Sequence, residues 1–210
     1  MDILKLVNKE EGNLIHFKKT AKGYLAPAYK GIVRLDNLAR IKELGVDHNA
    51  TLKLCNPIDI DISILDKKDI KKVKYLPSIA FGTLMRKHRF YFEKGKLDIY
   101  SRYDVNTDGE LIVSIYFFPT KEIYKCNLLV KFSICDDFYE IINSEEYKTV
   151  AFENDNGKVL FIKGMLNIDK ININNSKSQK DNYAICEIFS EEITTERGYN
   201  PMQFKISLIK

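Results

Sequence analysis

The chain has 210 residues and a formal net charge of +4; 45% of its residues are hydrophobic and 30% are charged. This composition is that of a folded globular protein and excludes an intrinsically disordered polar chain. No apolar run approaches the roughly 20 residues that cross a bilayer. The opening segment MDILKLVNKEEGNL also lacks the continuous apolar core of a secretory signal. We therefore expect a cytoplasmic protein with no membrane partner.

The N-terminal third is predicted to form a small α/β subdomain of residues 1–74. Within it, Leu35–Gly45 predicts a helix that Asp36 or Asn37 caps and Gly45 ends. Its apolar residues recur on one helical side: Leu38, Ile41 and Leu44. The segments ATLKLC and IDIDISIL predict strands. The charged run DKKDIKKVKYLP then indicates a boundary with a β-rich domain of residues 75–210.

From Arg86 onward, alternating apolar segments separated by turn residues predict an antiparallel meander. Its strands are RFYF, KLDIYSRYDV, ELIVSIYFFP and IYKCNLLVKFSIC, with the first two turns at Gly95 and Gly109. Further along, Asn156-Gly157 predicts a tight hairpin turn, and NYAICEIFSEE and MQFKISLIK predict the last strands. The polar, Asn-rich segment 167–182 predicts a mobile surface excursion.

A second helix is predicted near Asp136–Tyr147. Asp136 and Asp137 stand where an N-cap belongs, and three apolar residues share one helical face: Phe138, Ile141 and Ile142. Together these elements predict an α+β protein, with a predominantly antiparallel β-sheet or sandwich and two or three helices.

The positive charge is concentrated in one segment. Residues 67–102 hold eleven Lys or Arg and three Asp or Glu, a net charge of +8, so the rest of the chain carries −4. Aromatic residues interleave with the cations here, and such a mixture on a sheet suits single-stranded nucleic acid. An acidic protein surface is the alternative partner, and lysines that keep a sheet edge soluble are the structural explanation. The candidate binding residues are Arg86, Lys87, Arg89, Tyr91, Lys94, Lys96 and Arg102.

No phosphate loop, nucleophile elbow or dinucleotide fingerprint is present, and no RNP consensus, KH loop or zinc finger accompanies the basic segment. We therefore expect a non-catalytic binding protein without a cofactor. Abundant Lys, Ile, Asn and Tyr are typical of AT-rich genomes, an association that favours a phage or viral inhibitor of a host system.

A Mg²⁺-dependent nuclease is the alternative function. Restriction-type nucleases place an acidic residue on one strand and an (Asp/Glu)-x-Lys triplet on the next, so that carboxylates hold the metal. Asp59 followed by Asp66 and Lys68, or by Asp69 and Lys71, fits that form loosely. A second loose match is Asp137 followed by Glu146 and Lys148.

Asp104, Asn106, Asp108 and Gly109 match the first half of a calcium loop. The twelfth position is Ile115, where the loop needs a bidentate glutamate. A hairpin turn rich in Asx residues is therefore the favoured interpretation, with weak calcium binding as the alternative.

The cysteines and histidines indicate no metal centre. Cys55, Cys126, Cys135 and Cys186 are scattered without a CxxC pair, which favours buried free thiols. The histidines stand apart from any serine or cysteine in sequence: His16, His48 and His88.

Overall fold

The computed structural model of the protein describes residues 14–28, 31–47, 50–65, 70–80, 82–93, 95–117, 125–134, 138–177, 182–194 and 201–209. Within these ranges the chain forms twenty β-strands and no helix, hence no helix that could cross a membrane. The predicted α+β class is therefore wrong, and the protein is all-β with antiparallel sheets.

The first ten strands are β1 (Lys18–Thr20), β2 (Gly23–Pro27), β3 (Ile32–Leu35), β4 (Ile41–Asp47), β5 (Ala50–Ile58), β6 (Asp61–Ile64), β7 (Lys71–Lys74), β8 (Ser78–Ala80), β9 (Thr83–Phe92) and β10 (Gly95–Val105). The last ten are β11 (Leu111–Phe117), β12 (Lys125–Cys126), β13 (Leu128–Ile134), β14 (Phe138–Ser144), β15 (Thr149–Asn154), β16 (Val159–Leu166), β17 (Ile168–Lys177), β18 (Asn182–Ser190), β19 (Ile193–Thr194) and β20 (Met202–Ile209).

The strands assemble into four sheets. The N-terminal sheet has the order β1-β2-β3-β4-β5, and the large sheet has the order β14-β15-β16-β20-β11-β10-β9-β7, with β8 also pairing with β9. The small sheet has the order β17-β18-β13-β6, and β12 pairs with β19. Strand pairing crosses the predicted domain boundary at residue 74, because β6 pairs with β13 and β7 with β9. The division into two domains stays a prediction.

The large and small sheets pack face to face around the hydrophobic core. The rings of Phe132 on β13 and Phe204 on β20 stack between them, with centroids 6.4 Å apart. The N-terminal sheet adds to the same core through β4, which lies against β20 and buries Ile41 and Leu44. Two layers of alternating strands thus bury one contiguous apolar interior.

The predicted helix at Leu35–Gly45 is wrong, because these residues form the hairpin of β3 and β4. The Asp36 carboxylate does accept backbone hydrogen bonds, from Leu38 N at 2.8 Å and Arg40 N at 3.0 Å. Ala39 then adopts a left-handed φ of 57°, which a helix cannot continue through. The capping residue therefore closes a turn between two strands.

The predicted helix near 136–147 is also wrong. Residues 136–137 lie outside the described ranges, and β14 pairs antiparallel with β15. Tyr139, Ile141 and Ile142 are exposed on this end strand of the large sheet. Aromatic and β-branched residues suit a strand, so pairing with β15 overrides the three-residue spacing.

The Asn-rich segment 167–182 was predicted to be a surface excursion, yet β17 spans most of it and pairs with β18 along nine residue pairs. Ile168 and Ile171 are buried in the core and Ile173 packs against it, whereas Asn174 is exposed. Asn172 and Asn174 thus occupy outer positions of an amphipathic strand.

The meander is confirmed over three strands: β9, β10 and β11 pair consecutively and antiparallel. The hairpin at Gly157 is present as β15 and β16, with Gly157 at a φ of 68°. The predicted fourth strand of the meander instead leaves the large sheet, because β13 pairs with β6 and β18 in the small sheet. The C-terminal strand β20 takes the place beside β11.

Candidate functional site

Strand alternation divides the basic segment between the two faces of the large sheet. Leu84, Arg86, His88 and Phe90 on β9 are all buried and point toward the core. The residues between them on β9 point the other way, as do the β10 residues that pair with these. Among the described basic residues of this segment, three therefore lie on the inner side, Lys72, Lys74 and Arg86, and five on the outer side, Lys71, Lys87, Arg89, Lys96 and Arg102.

Arg86 belongs to an ion-pair network at the edge of the sandwich. Its side chain is 5% exposed, and Nη1 donates to Asp59 Oδ1 at 2.7 Å. Lys74 Nζ lies 3.0 Å from Asp59 and 2.7 Å from Asp61, and Lys72 Nζ lies 2.6 Å from Asp61. Burial raises the pKa of the Asp61 carboxyl, but hydrogen bonds from the two lysines together with their positive charges lower it by more. The network holds charges of both signs in place.

His88 and Ser101 meet inside the core. The Ser101 hydroxyl lies 3.2 Å from His88 Nε2, and both residues are fully buried. Burial, reinforced by the positive charges of Arg86 and two lysines, lowers the pKa of His88 to about 3. An imidazole that stays neutral and has no carboxylate on Nδ1 is a poor general base. The pair therefore lacks the properties of a serine nucleophile with its base.

Arg86 Nε and His88 Nδ1 make no hydrogen bond to the described residues of this interior, whereas the Tyr103 hydroxyl lies beside Arg86 and Ser101. Burial raises the pKa of Tyr103 to about 12, although the charge of Arg86 lowers it. Unsatisfied groups such as these two nitrogens each cost about 1–3 kcal/mol. The cluster thus lowers the stability of the fold locally, and Asp59 carries the main compensating charge.

The opposite side of β7, β9 and β10 forms a surface that we call the outer basic face. The strand register aligns its residues in rows, from Lys71 through Tyr91 to Lys96, and from Arg89 to Asp98. Its members are Lys71, Tyr75, Lys87, Arg89, Tyr91 and Lys96. Lys94, also predicted to bind, lies outside the described residues.

Two contacts fix the geometry of the outer basic face. Arg89 binds Asp98 through both arms of its guanidinium, with Nε 2.6 Å from Oδ1 and Nη2 2.8 Å from Oδ2. The hydrogen bond from Arg89 lowers the pKa of the Asp98 carboxyl. Lys87 Nζ lies 4.1 Å from the centroid of the Tyr75 ring, a cation–π contact that holds the lysine over the ring.

Arg102 lies deeper on the same side of the sheet and is paired with an acid. It is 8% exposed, with Nε 2.6 Å from Asp104 Oδ2, close enough for an ion pair but without hydrogen-bond geometry. Nη2 donates to Asp104 Oδ1 at 3.1 Å. Beside this pair the rings of Tyr100 and Tyr116 stack with centroids 6.0 Å apart. The predicted binding residue Arg102 is therefore buried and charge-compensated.

The residues that match a calcium loop form the turn between β10 and β11. Asn106 Oδ1 accepts hydrogen bonds from Asp108 N at 3.1 Å and Glu110 N at 3.0 Å, and Gly109 has a φ of 84°. Asp104 faces Arg102. The oxygens of the first two matching residues are thus engaged within the protein, as an Asx turn requires.

Of the first set of nuclease residues, the structure describes only Asp59 and Lys71, which lie on different sides of the large sheet. Asp66, Lys68 and Asp69 lie outside the described residues, and Lys71 is on the outer basic face, whereas Asp59 binds Arg86 on the inner side. In the part of the chain that the structure describes, no group of three or more Asp, Glu, His or Cys could hold a metal. For the second triplet, Asp137 lies outside the described ranges and Lys148 donates to the Ile168 carbonyl.

Sequence reasoning missed two groups of residues. Lys71 and Tyr75 join the outer basic face through β7 and the loop after it, which only the pairing of β7 with β9 reveals. A second group lines a pocket in the N-terminal sheet, where basic residues that are eight to twelve positions apart in the sequence come together only through strand pairing. The described cysteines Cys126 and Cys186 are buried free thiols, and burial raises the pKa of Cys186.

No protein-family model and no curated protein sequence matches this chain. Among solved structures, the chain is similar to that of HI1317, a crystal structure with which it shares 9% sequence identity. The alignment covers 94% of this chain and 99% of that chain, with a TM-score of 0.47. A similarity of this extent supports no inference about family or activity, and the candidate function rests on the residues of the outer basic face.

Proposed function

We propose that this protein is a non-catalytic cytoplasmic binding protein whose outer basic face engages single-stranded nucleic acid. The observation that carries the proposal is the arrangement of cations and tyrosines on one side of three neighbouring strands. Lysine and arginine neutralise phosphates, and tyrosine rings stack on unpaired bases. The chain holds both groups on a single rigid sheet.

The charge of the outer basic face favours an anionic partner. Lys71, Lys87, Arg89 and Lys96 share it with one carboxylate, that of Asp98, which Arg89 already binds. Lys71 and Lys96 are exposed, and Lys87 is half-buried. The described part of the face thus carries three more positive than negative charges.

The aromatic residues favour a single strand over a duplex. Tyr91 is 38% exposed beside Lys96, its cross-strand partner. Stacking on such a ring requires a base whose face is free, which a paired base inside a helix does not offer. A base on Tyr91 would place the adjoining phosphates near Lys71 and Lys96, the two lysines that flank it in the register.

Removal of a lysine from the outer basic face is expected to weaken the electrostatic part of oligonucleotide binding, which decreases as the salt concentration rises. With three lysines each neutralising one phosphate, log K should fall with log salt at a slope of about −2, and Lys96→Ala should reduce the slope by about 0.7. Fluorescence anisotropy of labelled oligo(dT) across a salt series measures this. Lys18→Ala and Lys19→Ala, exposed on β1 of the N-terminal sheet, are the matched controls and should leave the slope unchanged.

Loss of the exposed ring is expected to act independently of salt. Tyr91→Ala should weaken oligo(dT) binding about tenfold at every salt concentration, whereas Tyr91→Phe keeps the stacking surface and should bind like the original protein. A Tyr91→Ala variant that binds as well as Tyr91→Phe would contradict base stacking.

The alternative functions give different results in the same experiments. If oligonucleotides bind weakly, with the same affinity to the Lys18→Ala and Lys96→Ala variants, the nucleic-acid proposal fails. Capture of an acidic protein by the outer basic face would then favour an inhibitor of a host protein. Cleavage of the labelled strand that requires Mg²⁺ and disappears in Asp59→Ala, while circular dichroism shows this variant to be folded, would establish a nuclease.

A further inference from the structure

A pocket of about 450 Å³ opens in the N-terminal sheet, away from the outer basic face. It is lined by Thr20, Lys22, Tyr24, Arg34, Leu35, Lys42, Glu43, Lys53 and Leu54. Its volume falls within the range of small-molecule sites, roughly 300–1,000 Å³. All of its lining residues lie within the described ranges.

Two irregularities in strand pairing create this pocket. On β4, Glu43 pairs with Arg34 and Ile41 with Leu35, so that Lys42 is an extra residue bulged out of the ladder. On β5, the partner of Glu43 is Lys53 but the partner of Ile41 is Ile58, which leaves residues 54–57 opposite Lys42. Bulges redirect side chains and interrupt a sheet, and they concentrate next to binding sites. The pocket therefore borders a place where the ladder between β4 and its neighbours is interrupted.

The pocket has an apolar floor. Tyr24 and Leu35 are 4% and 1% exposed, and Leu54 is 7% exposed. The Tyr24 hydroxyl donates to the Pro77 carbonyl at 2.9 Å, which fixes the ring. A rigid ring and two leucines offer a surface for the hydrocarbon part of a ligand.

Cations dominate the rim. Lys22, Arg34, Lys42 and Lys53 carry four positive charges against the single carboxylate of Glu43. Glu43 is 12% exposed, and Arg34 Nε lies 2.9 Å from its Oε2. Glu43 can compensate one of these charges, so the pocket keeps an excess of three.

We infer that this pocket binds a small organic anion with an apolar body, such as an aryl or alkyl carboxylate, sulfonate or phosphate ester. The leucines and the Tyr24 ring contact the body, and the lysines of the rim contact the anionic group. The Glu43 carboxylate lies on the rim beside Arg34. It repels ligands that carry a second negative charge on the apolar body. The site is separate from the proposed nucleic-acid surface and does not depend on it.

Isothermal titration with three probes tests the inference. Naphthalene sulfonate offers both the charge and the body, naphthylmethanol offers the body alone, and inorganic sulfate offers the charge alone. Naphthalene sulfonate should bind at least tenfold more tightly than either of the others, because a charge-assisted hydrogen bond is lost in one and the apolar contact in the other. Equal binding of naphthalene sulfonate and naphthylmethanol would overturn the anionic site.

Variants locate the binding. Lys42→Ala should weaken naphthalene sulfonate binding about tenfold, and Glu43→Gln should strengthen it, since the one repelling charge is removed. Lys18→Ala, on β1 of the same sheet but outside the pocket, should leave it unchanged. Binding that is identical in Lys42→Ala and Lys18→Ala would place the probe elsewhere and overturn the assignment. Lys42 is exposed, so circular dichroism should show both lysine variants folded.

Discussion

Replacement of Asp59 by alanine is expected to lower the free energy of unfolding by about 3 kcal/mol, because it leaves a buried guanidinium without its anion. The Arg86 side chain is 5% exposed and donates to Asp59 at 2.7 Å, while Asp59 itself is 37% exposed. Arg86 cannot lose its proton, so the charge stays in the interior when its partner is removed. Urea denaturation of the two proteins at neutral pH measures the difference.

Asp61→Ala is the matched control for this experiment. Asp61 also binds two cations, but these are Lys72 and Lys74, whose side chains are 21% and 30% exposed and stay hydrated. We expect a smaller loss, of about 1 kcal/mol, because all three side chains of these pairs are partly exposed and screened by water. Equal losses in Asp59→Ala and Asp61→Ala would show that burial of Arg86 does not set the cost.

A double replacement separates the charge from the packing. In Asp59→Ala with Arg86→Met, the uncompensated charge is gone and an unbranched apolar chain fills most of the space of the arginine. Replacement of a buried ion pair by apolar residues is often neutral or stabilising. The double variant should therefore be more stable than Asp59→Ala alone; if it is not, lost packing and not the unpaired charge destabilises the single variant.

Turn chemistry made part of this fold predictable. Gly109 and Gly157 both adopt positive φ values, and each closes a hairpin between strands rich in β-branched and aromatic residues. These signals are local, since a turn residue and its flanking strands lie within about twenty residues. The meander of β9, β10 and β11 follows from them.

Pairing between strands that are separated in the sequence determined the elements that were predicted wrongly. Leu38, Ile41 and Leu44 have helical spacing, yet β4 pairs with β5 as well as β3, and Leu38 ends exposed in the turn. The isoleucines of β17 indicate the buried face of a strand only once its pairing with β18 is known. Local periodicity cannot report such partners, and tertiary contacts override it.

The residues of the candidate surfaces were predictable only in part from the sequence. Alternation along β9 requires Arg86 and Arg89 to face opposite sides, but which side is buried depends on Asp59, which lies on a segment between β5 and β6. A buried arginine is rare, so sequence alone favours exposure for both. The N-terminal pocket depends on bulges at Lys42 and at residues 54–57, which have no sequence signature.

Acidification is expected to destabilise the protein through His88. Burial, with the positive charges of Arg86, Lys72 and Lys74, lowers its pKa from 6.5 to about 3, whereas the nearby Asp61 raises it. The unfolded chain therefore takes up a proton below pH 6.5 that the folded chain does not take up until about pH 3. Above about pH 6.5 the imidazole is neutral in both states, so it costs the fold no stability. As the pH falls below 6.5, protonation of the unfolded chain progressively lowers the free energy of unfolding. At pH 5 the loss should reach about 2 kcal/mol.

Comparison with His88→Gln isolates this contribution from that of the carboxylates. Glutamine can still hydrogen-bond to Ser101, but it does not titrate, so the stability of the variant should fall by about 2 kcal/mol less between pH 7 and pH 5. His16→Gln, a replacement at an exposed position, is the control and should follow the original protein. Urea denaturation at both pH values provides the four free energies of each comparison. Identical pH dependence for His88→Gln and the original protein would mean that the interior accepts a charged imidazole, and the neutral, buried state of His88 would then be wrong.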